Sequence, residues 1–389
     1  MKQKLKESTG ITLVALVVTI VVLLILAGIT ITYVLGDNSI FKLAQDAKNK
    51  TEEAKNDEQE YFNNIGNTID KYINGNGGGS GTGDRVDVST ITTITTKNIL
   101  AKDSLENPIT IPEGFKVVPN GQDGVEYTYT GDKKPTVQDG IVIEDNEGNQ
   151  FVWIPVGNVK NKDGSTNNIQ LARYTFDITL DIDTYEVGGT GAVKQTILDG
   201  SGIKDEYSEY EYLEDSTSET PQKMNAKNIE EFKTKSKAIG GYYLARYEAS
   251  KGEGDKVKSK SAAVWNVISH TKAARNAREM YDSNCFESDL VNSYAWDSAI
   301  VFIQTYSGDS DYSKEVGSTT IKNTGTSLDK RCNIYDMASN AEEWTTETYT
   351  RNYYGATTRS ETYTSSRGGG YATDFIADEI SFRPILYVK

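Results

Sequence analysis

The stretch Asn333-Ile334-Tyr335-Asp336-Met337-Ala338-Ser339-Asn340-Ala341-Glu342-Glu343-Trp344 decides how the carboxyl half of this 389-residue chain is read, together with the order of the segments around it. Upstream, Gly240-Gly241-Tyr242-Tyr243-Leu244-Ala245-Arg246-Tyr247-Glu248 has the pattern of a strand entering a core, with Arg246 and Glu248 available for pairing. Trp265-Asn266-Val267-Ile268-Ser269 follows, and Ala273, Ala274, Ala277 and Met280 then recur at helical spacing. Asp289-Leu290-Val291-Asn292-Ser293-Tyr294-Ala295-Trp296-Asp297 comes next. Downstream, Arg367-Gly368-Gly369-Gly370-Tyr371 and Ser381-Phe382-Arg383-Pro384-Ile385-Leu386 close the chain.

Working outward, residues 86–96, 109–118 and 140–156 carry short β-branched or apolar runs separated by Gly, Asn, Asp and Pro, which predicts strands and turns over 85–156. Residues 169–182 alternate as a strand does. The acidic, polar run 204–237 has little to bury and reads as an insertion loop with one short helix. Residues 74–84, NGNGGGSGTGD, form a flexible linker and mark a domain boundary. No period of 20–50 residues supports a solenoid or propeller.

Before the linker, residues 8–36 contain no charge, and 11–35 are dominated by Val, Ile, Leu and Thr. A bilayer core of about 30 Å takes roughly 20 apolar residues in helix, so this run is long enough to cross one. Lys2, Lys4 and Lys6 precede it and hold that end in the cytoplasm, which places the rest outside. Apolar and aromatic residues from Phe41 to Tyr72 continue at broadly helical spacing, and a helix over 11–72 would be about 90 Å long.

Forty-one Lys and Arg against fifty-six Asp and Glu give a net charge of −15, which argues against nucleic acid as a partner. One histidine, His270, and two cysteines, Cys285 and Cys332, exclude zinc sites built from several such ligands. Thirty-four glycines, twenty-four tyrosines and only seven prolines favour turns and β structure beyond the linker. The cysteines read equally as a disulfide or as two inert thiols. Acidic pairs such as Asp378-Glu379 or Glu342-Glu343 have the residue types of a glycosidase dyad, but nothing selects one of them.

The polar leader ending in Gly10, followed at once by Ile11-Thr12-Leu13-Val14-Ala15-Leu16, resembles the prepilin leader of type IV pilins and secretion pseudopilins. That resemblance implies cleavage between Gly10 and Ile11 by prepilin peptidase, methylation of the new terminus at Ile11, and assembly with other pilin subunits. Ala15 stands at the fifth mature position, where the family commonly has Glu, and this weakens the case for filament assembly more than for export. The plainer alternative is a single-span membrane anchor.

The carboxyl segments resemble the formylglycine-generating enzyme, or sulfatase-modifying factor, family from about 151 to 388. The fold implied is α+β: a long pilin-like helix at the amino end and an elaborated C-type-lectin domain beyond it, with Trp265, Trp296 and Trp344 as core aromatics. The organisation expected is a leader at 1–10, a helix at 11–73, a linker at 74–84, a β-rich part at 85–150 and the family domain at 151–389. The oxidising members use a cysteine pair near the carboxyl end, and none occurs in 367–389. The histidines of the iron-dependent branch are missing too, so no catalytic residue is assigned. The resemblance also implies a Ca²⁺ loop on Asp336, Ser339, Ala341 and Glu343, whose oxygens suit that ion. Ser339 and Glu342 depart from the family pattern there. His270 is expected at the surface or as a cap.

Residues 345–373 are crowded with Thr, Tyr, Ser, Arg and Asn, a composition suited to adaptable contact. Tyr349, Arg351, Tyr353, Tyr354, Arg359, Tyr363 and Tyr371 are the expected ligand-binding residues, against the plainer reading of an ordinary polar loop. The function expected is a surface-displayed minor or tip pilin-like protein presenting an adhesin domain to a protein or glycan. A major structural pilin and a divergent anchored enzyme of the same family are the alternatives.

Overall fold

Gln150–Pro155, Gly241–Ala245 and Pro384–Val388 bury nearly every side chain, apolar on both faces, as strands covered from both sides must. A computed structural model describes residues 17–23, 85–118, 135–197, 207–208, 229–317, 320–349, 355–372 and 374–389. In chain order the main strands are Phe115–Val118 (β1), Val142–Asp145 (β2), Gln150–Pro155 (β3), Gly241–Ala245 (β4) and Phe286–Leu290 (β5). Glu342–Tyr349 (β6), Gly355–Arg359 (β7), Arg367–Tyr371 (β8), Ile380–Phe382 (β9) and Pro384–Val388 (β10) complete them.

The first sheet has the order β5-β10-β4-β3-β2-β1 and is antiparallel throughout. β4 lies at its centre, Tyr243 facing Trp153 on one side and Leu386 on the other. The second sheet runs Tyr207–Ser208, β6, β7, β8, and β9 pairs with β6 in parallel. β9 and β10 are separated by Arg383 alone, so one short run of chain serves both sheets.

Three helices pack beside them. Ile229–Ile239 (α1) sets Phe232 edge-on to Tyr242 and Tyr387. His270–Arg278 (α2) is capped by Ser269, which accepts from the Lys272 N–H, and Ser293–Tyr306 (α3) by Asn292, which accepts from the Ala295 N–H at 2.9 Å. Trp296 and Trp344 are fully buried and Trp265 nearly so, which agrees with their expected core role, and Trp153 is fully buried as well.

The expected α+β class with a long leading helix is corrected. Among the described residues the chain is mostly β-sheet, and α1, α2 and α3 have only 11, 9 and 14 residues. The reason lies in the spacing of the apolar residues beyond the linker, which come in runs of about five bounded by Gly, Asn and Asp and so fill strands. Residues 17–23 are helical and exposed. The rest of the expected 11–73 helix, the Gly10–Ile11 junction and the 74–84 linker lie outside the described residues. Among the described residues no helix is long and apolar enough to cross a membrane.

The chain divides into two units, Met1–Lys71 and Tyr72–Lys389. The boundary drawn at 150/151 falls in the β2–β3 hairpin, where Glu144 faces Gln150, so 85–150 and 151–389 share one sheet. The alternation over 169–182 is cut into separate short strands, among them Arg173–Phe176 and Thr179–Leu180.

The turn that opens the 333–344 run is tight. Lys330–Arg331 pairs with Ile334–Tyr335 across Cys332 and Asn333, both at positive φ (46° and 64°), the two-residue hairpin that matches strand twist. Asn333 Nδ2 donates to the carbonyls of Asp139 and Gly140, and Gly140 itself has φ 78°. A Cβ at Gly140 would sit 1.8 Å from the Cys332 carbonyl oxygen, whereas one at Gly114, φ 86°, would meet nothing within 4 Å. Gly140→Ala is therefore expected to cost about 3–5 kcal/mol, left-handed strain plus collision, and Gly114→Ala about 1–2 kcal/mol from strain alone. Urea midpoints of the two variants check the ranking.

Candidate functional site

Asp336 and Glu343, expected as calcium ligands, are both buried and both committed to protein donors. Asp336, at φ 61°, accepts at Oδ2 from Thr324 Oγ1 (3.0 Å) and the Gly325 N–H (2.7 Å), and at Oδ1 from Ser327 Oγ. Glu343 accepts from Arg383 Nε (3.1 Å) and Nη2 (2.6 Å). The Ser339 hydroxyl donates to Asp329 Oδ2, and the Ala341 N–H donates to Glu248 Oε1. These residues are neighbours, but among the described residues no group of three or more His, Cys, Asp or Glu is arranged to hold a metal ion. Burial raises the carboxyls of Glu248 and Glu343, with Arg383 pulling the other way in both.

A second buried centre lies under the expected ligand-binding loops. Arg359, fully buried, donates to Asp297 Oδ1 at 2.8 Å and stands 3.3 Å from Glu347 Oε2. Arg367 donates to Asp297 Oδ2 (2.6 Å) and to both oxygens of Glu347, and Arg173 also pairs with Glu347. Arg359 is thus corrected from a ligand contact to a structural charge, because β7 turns its side chain inward toward α3. Burial pushes the Glu347 carboxyl up, and Arg367, Arg359 and Arg173 together more than reverse this, holding it at about 2.

The other expected residues scatter. Tyr349 ends β6, with Arg351, Tyr353 and Tyr354 outside the described residues; Tyr363 is half-buried. Cys285 and Cys332 are both free, so the disulfide alternative is corrected. The Cys285 thiol donates to Glu113, while Cys332 is held in its hairpin with its thiol pushed up to about 12, by burial first and by Asp139 second. His270 is corrected from surface residue to core: it is fully buried, Nε2 lies 2.8 Å from the Thr345 carbonyl, and burial lowers it to about 4.

Tyr371 meets exposed partners. It packs edge-on against buried Trp344 (5.6 Å) and stacks outward on Phe375 at 5.1 Å and 17°. Phe375 is 40 % exposed, Ile376 53 % and Val267 56 %, an apolar patch on one rim. Val267 is held there by its N–H donating to the Ala377 carbonyl, with Asn266 Nδ2 donating to the Asp378 carbonyl. It adopts φ 54°, a conformation that β-branched residues avoid. Strain of this kind collects where a fold presents a side chain for use.

Carboxylates border the patch. Glu361 Oε1 lies 3.4 Å from the Tyr371 hydroxyl, and Glu342 Oε2 accepts from Thr358 Oγ1. Burial raises the Glu342 carboxyl to about 7, with the charges of Glu361 and Glu379 adding to it. Among the described residues, no ion pair engages Glu342, Glu361 or Glu379. A shallow depression of about 320 Å³, lined by Asp309, Asp311, Lys314 and Glu315 among others, differs in this respect, since Arg331 and Lys314 already pair with its acids.

Sequence reasoning named Tyr371 but missed the other rim residues. The Phe375-Ile376 pair between Asp374 and Asp378 was a visible signal, an apolar dipeptide in an acidic turn. Val267 and Glu361 carried none, since neither a strained φ nor a missing cation is written in residue type. No protein-family model matches the chain, and no curated protein or solved structure matches it either.

Two glutamates of β6 have opposite pH behaviour. Glu342, raised from an ordinary 4.5 to about 7, contributes stability at low pH that is lost as pH rises through about 7. Glu347, held at about 2, contributes stability above about 4.5 that is lost as pH falls toward 2. Glu342→Gln is expected to gain on the order of 1 kcal/mol at pH 8, discounted for partial exposure, and about a quarter of that at pH 5. Glu347→Gln is expected to lose about 3–5 kcal/mol at pH 7, because Arg173, Arg359 and Arg367 all lose the charge of that buried acid. Denaturant titrations at pH 5, 7 and 8 separate the two. Val267→Asn, which tolerates the left-handed region, is expected to add about 1 kcal/mol in the same assay.

Proposed function

We propose that this chain is a recognition protein, exported and displayed outside the cytoplasm by its amino-terminal segment, whose globular unit binds a protein or glycan ligand. The observation that carries the reading is the exposed Tyr371–Phe375 stack with Ile376 and strained Val267, backed by buried Trp344. An apolar rim held on a rigid sheet is the form that binding surfaces take. The Gly10–Ile11 junction supplies the export half of the proposal through its prepilin resemblance, with prepilin peptidase and other pilin subunits as partners.

Two measurements test it. Mass spectrometry of the protein from its native envelope is expected to find Ile11 as the first residue, and Met1 still attached would remove the display half. Full-length protein in detergent, probed on glycan and protein arrays, is expected to capture a ligand that Phe375→Ser loses at least tenfold without a change in melting temperature. Capture that is indifferent to Phe375→Ser would remove the rim.

A further inference from the structure

Resting on the recognition reading, the geometry points to a particular occupant for this rim: an extended, basic segment of a partner polypeptide, laid along the open edge of β8 and over the Tyr371–Phe375 stack. β8 is the last strand of its sheet, paired with β7 on one side and, among the described residues, with nothing on the other. Its sequence Arg367-Gly368-Gly369-Gly370-Tyr371 puts three glycines where edge strands usually carry a blocking lysine or proline, so backbone can approach backbone. An added strand gains main-chain hydrogen bonds there, and alternate side chains find their places beside the edge.

What selects a basic segment is charge. A Cβ at Gly368 would lie 2.2 Å from Thr358 Oγ1 and 3.0 Å from Glu361 Oε2, so the missing side chain leaves room for the Glu361 carboxylate over the strand. Glu361 reaches from there to the Tyr371 hydroxyl, and the charges of Glu361 and Glu379 lie close enough to add to what burial does to Glu342. A lysine or arginine beside Tyr371 relieves that repulsion and gains the ring face as well. The flanking apolar residue of the same segment covers Phe375, Ile376 and Val267. A second copy of this chain is a poor occupant, since each carries a net charge of −15. Anionic lipid is repelled by the same carboxylates.

The test uses full-length protein in neutral detergent and three fluorescent peptides read by anisotropy: alternating Lys-Val, alternating Glu-Val, and Lys-Val methylated on every second backbone nitrogen in either phase. The Lys-Val peptide is expected to bind at least tenfold more tightly than Glu-Val. Methylation in one phase is expected to weaken it at least tenfold while the other phase leaves it unchanged, because only one edge of an added strand faces β8. Glu361→Gln with Glu379→Gln is expected to cost about tenfold with melting temperature retained. Equal binding of the acidic and basic peptides, or equal effects of the two methylation phases, overturns the proposal. Should the peptides fail while an array ligand is still lost by Phe375→Ser, recognition stands and this occupant falls. Should the peptides behave as expected while Met1 remains attached, docking stands and display falls.

Discussion

Arg383 is the fixed point of the carboxyl unit. It occupies the one position between β9 and β10, and its fully buried guanidinium uses all three nitrogens: three hydrogen bonds to Glu343 of β6, one to the Ala245 carbonyl at the end of β4, and one to the Tyr335 carbonyl of the Cys332–Asn333 hairpin. Two sheets and the hairpin between them are therefore held at one planar group. A buried ion pair of this kind repays its desolvation only when geometry and additional hydrogen bonds are complete, and here both are. Its value is in fixing which strand goes where more than in net stability.

A consequence is that the charges nearest the recognisable motif residues work inward. Asp336 is consumed by the Thr324-to-Ser327 loop, Glu248 by the backbone of Ala341 and the side chain of Asn340, and Glu347 and Asp297 by three arginines. These contacts stiffen the scaffold beneath the rim. What faces outward is an aromatic stack, a strained valine and carboxylates that no cation pairs with among the described residues. Strand β6 shows the division within eight residues, since Glu347 is held ionised near 2 by arginines while Glu342, with no arginine, is lifted to about 7. The same residue type serves structure at one end and is left available at the other.

Much of the fold was legible because apolar runs bounded by turn residues state where strands begin and end. Gly241–Ala245, Gln150–Pro155 and the core tryptophans could be read directly, as could a helix beginning after Ser269. The long leading helix could not be upheld, and Arg359 was misjudged: an arginine among threonines and tyrosines looks solvated until β7 turns it toward Asp297. His270 was misjudged for the same reason, since its polarity gave no sign that a carbonyl from β6 waits for its Nε2.

Sequence alone determined local character: which runs are strands, where chain reversal is allowed, that the whole is acidic, and that residues 8–36 carry no charge. Those properties belong to neighbouring residues and survive without knowledge of the fold. The tertiary structure alone decided which charges are paired, that the two thiols remain apart, and that Val267 bonds to the Ala377 carbonyl although 110 positions separate them in the chain (377 − 267). Pairing, burial and strain are properties of distance in space, and composition does not encode distance.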